Sequence, residues 1–571
     1  MTTVRELVRV CSLADLERER LRVTTAAGRA VLLVLDEGRV FALDNRCPHM
    51  GFPLRRGTVE GGILTCHWHH AKFDLASGCT FDLFADDAPT FPVEVRDGEV
   101  WLDPTPPRGD RREHWLGRLQ VGLEQDIPLV LAKGAIALTE QGAATDALTR
   151  AAVFGLRNRR AGWSQGMTIL TALAAVLPVL DPEDRALALF HGLRHVAAST
   201  AGQPPEFDLE PLASADRRPE RFLEWFRYFV EVRQADAAER TLVTAIEALP
   251  PREVADLVFA ACTDHLYLDT GHTLDFANKA FELLDLVGWG QACHVLPALV
   301  PALVRSQRME ETSTWRHPAD VASLVRDAQA ELAALPEREP RPGWDGHADL
   351  AEVVLDGEPS RALEQLVRLT GDGVPVTELS AAVAYAGARR AVHFPTSNEF
   401  GDWETVLHGF TYANAVDQAM RRAPSRLLSR GVLDAAMAVS LERFLNVPRR
   451  AIPAASGSAG RREILAAFDE QGRVDEVGQL VVDALADGDD RAVVRALGHA
   501  LLREDGQFHH FQMYEAMVRQ WTRFRGRSEA VHVLVGAARY LAAHAPTVRA
   551  TGQTFDIAAR LHRGESLHED A

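Results

Sequence analysis

Two short arms constrain this chain more than any other feature. Cys47-Pro48-His49-Met50-Gly51 and Cys66-His67-Trp68-His69-His70 each set a histidine two or three residues after a cysteine, and sixteen residues separate His49 from Cys66. Two sulfurs and two imidazoles presented in this way make a four-ligand metal site. Two chemistries use such a set. A single zinc ion takes it as a tetrahedron. A mixed-ligand [2Fe–2S] cluster needs thiolates on the iron that stays ferric and neutral imidazoles on the iron that is reduced, which raises its potential above that of an all-cysteine cluster.

The arms resemble the CxH…CxxH pattern of the Rieske family at that family's spacing. Trp68, Lys72-Phe73-Asp74-Leu75 and Gly78 are similar to its WHGWxFDxxxG continuation. The resemblance implies a small all-β domain that binds a Rieske [2Fe–2S] cluster through Cys47, His49, Cys66 and His69, in preference to zinc. His70 departs from the pattern, since the family usually has Gly there, and it leaves His67 and His70 as further imidazoles beside the cluster.

A net charge of −18 and a pI near 5.6 oppose phosphate binding and argue against a nucleic-acid partner. Lysine is nearly absent, at Lys72, Lys133 and Lys279. The other four cysteines, Cys11, Cys79, Cys262 and Cys293, lack CxxC spacing and indicate no disulfide framework. No secretory leader or membrane-length apolar run is present, and the cluster loops lack the extra cysteines of membrane-anchored Rieske subunits, so a cytoplasmic, ferredoxin-type module without a membrane partner is expected.

The predicted fold is multidomain: a Rieske domain at 1–103, a Pro-rich linker at 104–112, and a large all-α domain at 113–571. Arg29–Leu35 and Arg39–Leu43 around Asp36-Glu37-Gly38 predict one hairpin, and Phe91–Leu102 around Arg96-Asp97-Gly98-Glu99 another. Beyond 113 the period is helical, with starts at Asp181-Pro182 and Pro250-Pro251 and surface loops at Pro336–Asp345 and Val447–Gly460. Neither GxGxxG after a strand nor GxxxxGK[ST] occurs, so electrons are expected from a separate reductase.

The helical part should hold whatever consumes those electrons. From Asp264 to Lys279, positions 265, 269, 272, 276 and 279 share one face of a continuous helix and offer His265, Asp269, His272 and Lys279. Neutral imidazoles with a carboxylate suit ferrous iron with positions open to O2. The other reading is a helix of hydrogen-bonded histidines with an Asp275–Lys279 surface pair. His191 with His195, His408 in Leu407–Ala415, and His509 with His510 supply further clusters.

The 265–276 segment resembles the HPLIHLGYGLEF stretch of questin oxidase-like proteins, helical non-haem iron oxygenases of polycyclic aromatic polyketides. His265, Gly271, Leu274 and Phe276 match, and Asp275 stands for Glu. His408–Ala415 is similar to that family's IHxxTGxxAL helix, and His509 or His510 to the histidine of its HxxK helix. Asp269 stands at the second family histidine, His272 at a Tyr and Gln512 at the Lys, and Ser164–Met167 has no NHxPM histidine. The usual Rieske-oxygenase DxxHxxxxH array is absent, since Asp269-x-x-His272 runs on to Ala277. The expectation is an O2-dependent oxygenase acting on a small apolar, aromatic substrate, with iron at His265, His272, His408 and His509 or His510, and Asp269 as ligand or orienter. The short linker would face the cluster toward the chain's own helices or a neighbouring subunit of a homo-oligomer. The competing expectation is an electron carrier whose helical part is a docking scaffold.

Overall fold

The computed structural model describes residues 7–105, 111–159, 162–213, 217–336, 338–486, 488–565 and 567–568. Residues 106–110, most of the expected linker, lie outside these. The chain forms two compact units, Met1–Arg150 with Gly552–Ala571, and Ala151–Thr551.

The first unit opens with β1 (Val8–Ser12), β2 (Leu21–Ala26), β3 (Arg29–Asp36), β4 (Arg39–Asp44), β5 (Thr58–Glu60), β6 (Ile63–Thr65), β7 (Lys72–Asp74), β8 (Val93–Arg96) and β9 (Glu99–Leu102). They form three antiparallel sheets in the orders β1-β9-β8, β2-β3-β4 and β5-β6-β7. Both expected hairpins form, with Asp36 opposite Arg39 and Arg96 opposite Glu99. Their two-residue turns, Glu37-Gly38 and Asp97-Gly98, hold positive φ at both positions, as a tight hairpin matched to strand twist requires. Alternation along β3 sends Leu32 and Val34 into the core beneath the cysteine loops, and Val31 and Leu33 into a second core on the other face.

Beyond the strands the described chain is helical, as expected: a small β part precedes a large α part. In the first unit, α1 (Arg111–Glu124) and α2 (Pro128–Glu140) follow the strands, and α2 buries every residue from Val130 to Leu138. In the second unit, Pro251 opens the helix Pro251–Cys262, while Pro182–Asp184 makes a single tight turn before Arg185–Thr200. Among the described residues, no helix is long and apolar enough to cross a membrane.

Three helices of the second unit carry the remaining argument: His272–Val287, Asp402–Arg422 and Phe508–Arg523. The continuous helical face expected from 265 to 279 is corrected here. Tyr267, Asp269 and Thr270 take left-handed backbone angles, and the helix begins only at His272. Gly271 makes the start possible: its φ is +91°, and a Cβ there would lie 2.5 Å from the Cβ of Tyr412. Only glycine permits that approach, which brings His272 against the helix that carries His408.

Candidate metal centres

The cysteine arms form the tips of two loops, one between β4 and β5 and the other between β6 and β7. The backbone closes each of them. Gly51 N donates to Cys47 O at 2.7 Å and Cys47 N to Phe52 O at 2.8 Å, while Cys66 N donates to Ala71 O at 2.8 Å. Cys47 and Cys66 are buried on the apolar floor of Leu32, Val34, Leu43, Leu64 and Phe73. Their thiols face each other closely enough to hydrogen-bond, which draws Cys66 below the ordinary thiol range and holds Cys47 above it. The backbone N–H groups of His49 and Met50 point at the Cys47 sulfur, and those of Trp68 and His69 at the Cys66 sulfur. Donors of this kind stabilise thiolates.

The two imidazoles meet edge to face. The His49 and His69 rings are 4.7 Å apart, with Phe84 against His49 at 4.9 Å and Trp68 against His69 at 4.4 Å. Burial pushes His49 down to about 4, so it is neutral at physiological pH, and its Nδ1 is buried without a hydrogen-bond partner. An orphaned ring nitrogen beside two sulfurs, each cradled by backbone donors, fits a bound metal cluster. His70 keeps a left-handed backbone, φ 61°, so the geometry glycine adopts freely is retained there with an exposed imidazole. His67 turns away, its Nε2 3.2 Å from Thr58 Oγ1.

Reading the residues in order misses the role of Lys133. It lies in the buried run of α2, and its Nζ donates to Pro48 O and, at 3.0 Å, to His49 O. A lone lysine within an apolar helix was the available signal.

A second constellation lies in the helical unit. His272, His408 and His509 come from three different helices, and their ligand nitrogens all lie within 4.8 Å of one another. His408 Nε2 and His509 Nε2 are 3.1 Å apart, and the His272 ring stands 4.8 Å from His408 and 5.6 Å from His509. Burial, reinforced by the neighbouring imidazoles, lowers His272 to about 4 and His408 to about 3, and burial lowers His509 as well. Three neutral imidazoles facing one point make a ready ligand set. Phe276 and Phe508 pack on His272 at 5.6 and 5.4 Å, and Glu404 Oε1 stands 3.6 Å from His509 Nδ1.

Beneath the triad run buried charges. Lys279 bonds Glu282 at 2.9 Å and Glu515 at 2.7 Å, Arg519 joins both acids, and Gln512 donates to Asp275. Burial pushes the Asp275 carboxyl up to about 7 despite Lys279 nearby. The Asp275–Lys279 surface pair is therefore corrected to a buried network, because the facing helix supplies Gln512, Glu515 and Arg519.

The other expected ligands lie elsewhere. His265 gives Nδ1 to Glu310 at 2.8 Å and Nε2 to Glu231 at 2.7 Å. Burial lowers its pKa, but the two carboxylates outweigh burial and raise it, and an imidazole donating from both nitrogens has no lone pair for a metal. Asp269 is exposed in the irregular segment, accepting from Gln307 N at 3.3 Å. His510 projects about a quarter-turn from His509, toward His544 at 4.8 Å and Tyr540 at 5.9 Å. His191 bonds Leu502 O at 3.0 Å, and Phe511 packs between it and His195.

Paired thiols and paired imidazoles on two loops of a small antiparallel β domain define a mixed-ligand iron–sulfur protein. Residues 6–92 match the Rieske [2Fe-2S] domain family, and through this domain the chain belongs to the Rieske family. Mouse apoptosis-inducing factor 3 is 41% identical over 94 residues, covering 16% of this chain and 16% of that protein. The 4beta-methylsterol monooxygenase of Methylococcus capsulatus is 36% identical over 91 residues, covering 14% and 25%. The ferredoxin component of the p-cumate 2,3-dioxygenase system of Pseudomonas putida is 31% identical over 101 residues, covering 17% and 86%. The chain thus spans a small part of the first two relatives and most of the third.

Proposed function

We propose that the chain is an oxygenase in which electrons entering at the Rieske domain are spent at ferrous iron held by His272, His408 and His509. What carries this reading is the convergence of three neutral imidazoles from three separate helices, with ligand nitrogens within 4.8 Å. Bound ferrous iron with open positions supplies the O2 activation that side chains lack. The other groups hold and orient. Glu404 faces the outer nitrogen of His509, where a carboxylate fixes the tautomer and ring of a metal-binding histidine. Phe276 and Phe508 make the adjoining wall apolar, which suits an aromatic substrate, the class that the resemblance to questin oxidase-like proteins also implies. In the Rieske domain, Cys47 and Cys66 hold one iron of the cluster and His49 and His69 the other, with electrons supplied by a separate reductase.

The test is metal analysis of protein purified without air, before and after His408→Ala, with nitric oxide as a spectroscopic probe of ferrous iron. The proposal expects iron in excess of the cluster, an iron–nitrosyl signal, and loss of both in the variant. Iron equal to the cluster alone, with no nitrosyl signal and no O2 uptake when the cluster is reduced in the presence of aromatic polyketides, would leave an electron carrier with a helical scaffold.

A further inference from the structure

The first ligand loop rests on a buried cation that no part of the Rieske pattern supplies. Lys133 is 7% exposed in the middle of α2, where its neighbours from Val130 to Leu138 are otherwise apolar or small. Its ammonium donates to the carbonyl oxygens of Pro48 and His49, the second being a cluster ligand. Among the described residues no carboxylate stands within ion-pair distance of it. The acid nearest in effect, Asp86, is already engaged by His114 at 2.9 Å and by Arg118 at 3.7 Å. A desolvated ammonium without a counterion is unfavourable unless another charge compensates it. The charge that arises here is the electron taken up next to His49.

We propose that Lys133 sets the reduction potential of the Rieske site, its fixed positive charge favouring the state that holds one more electron. The electron comes from an external reductant, dithionite in the test below. Burial lowers the Lys133 ammonium to about 8, so at pH 7 it carries its proton, and with its two carbonyl bonds in place it acts through its field, which is strong because Lys133 itself is withdrawn from water. The hydrogen bonds by themselves would make Lys133 merely a loop clamp. Charge and clamp separate by substitution: methionine removes both, glutamine retains a donor without the charge, and arginine retains the charge.

The experiment is a redox titration of the full chain, followed by the electron paramagnetic resonance signal of the reduced cluster, on wild type, Lys133→Met, Lys133→Gln and Lys133→Arg, with iron and absorbance per chain recorded for each. The neutral variants are expected to keep the cluster and to favour the oxidised state at least tenfold more than wild type, a fall of about 59 mV for one electron. Lys133→Arg should stay near wild type. Midpoints shifted less than twofold in the oxidised-to-reduced ratio, with the cluster intact, would overturn the proposal. So would loss of the cluster from both neutral variants, which would make Lys133 a clamp on the loop.

Discussion

Replacing Lys279 with methionine tests the buried network beneath the histidine triad. In the native chain the Lys279 ammonium is fully buried and shared between Glu282 and Glu515 at 2.9 and 2.7 Å. Removing one partner of a buried ion pair leaves uncompensated charge and costs about 3–5 kcal/mol. Here Glu282 and Glu515 would be left to Arg519 alone, so a cost within that range is expected at neutral pH. Burial works against the Glu515 carboxylate, but Lys279 and Arg519 hold it below the ordinary range. Without Lys279 burial prevails, and the folded-state pKa of Glu515 rises above its unfolded value of about 4.3. The folded variant then binds a proton that the unfolded chain has released, so its deficit grows as pH rises from about 4.3 toward neutrality and shrinks as pH falls. Urea denaturation followed by far-ultraviolet circular dichroism reports the helical unit. A deficit below about 1 kcal/mol, or one equal at pH 5 and pH 7.5, would refute the reasoning. The network ties the helices of His272 and His509, so iron affinity under chelator competition should also fall about tenfold or more.

Cys66→Ser or His69→Ala should abolish the Rieske spectrum while leaving helical circular dichroism intact, whereas His67→Ala and His70→Ala should keep it. His265→Ala should leave iron in the helical unit unchanged and instead destabilise the fold by about 2 kcal/mol, as buried Glu310 loses one of its partners; loss of that iron would return His265 to the ligand set. His272 and His408, lowered to about 4 and 3, stay neutral well below pH 6.5, so iron retention should be level from pH 7 to about 5.5. In metal-free protein the same depression means that the unfolded chain takes up protons first, so stability falls as pH drops from 6.5 toward 4; thermal denaturation across that range would show it.

The residues of the Rieske domain announce it because its chemistry is local. Each arm puts a sulfur and an imidazole within three residues of each other, and Glu37-Gly38 and Asp97-Gly98 specify their hairpins by backbone sterics alone. The change from strands to helices is legible for the same reason, since side-chain period is a property of neighbouring residues. The proposed second centre is different in kind. His272, His408 and His509 are 136 and 101 residues apart in sequence, and nothing local distinguishes them from His265, whose flanking pattern looked the stronger. Tertiary structure decided between them: Gly271 starts a helix against Tyr412, which turns His272 inward, while Glu231 and Glu310 arrive from distant segments to occupy both nitrogens of His265. Lys279 and Lys133 follow the same rule. A lysine reads as a surface residue until the fold buries it, and its role is then set by what is packed against it: a pair of acids for one, the carbonyls of a ligand loop for the other.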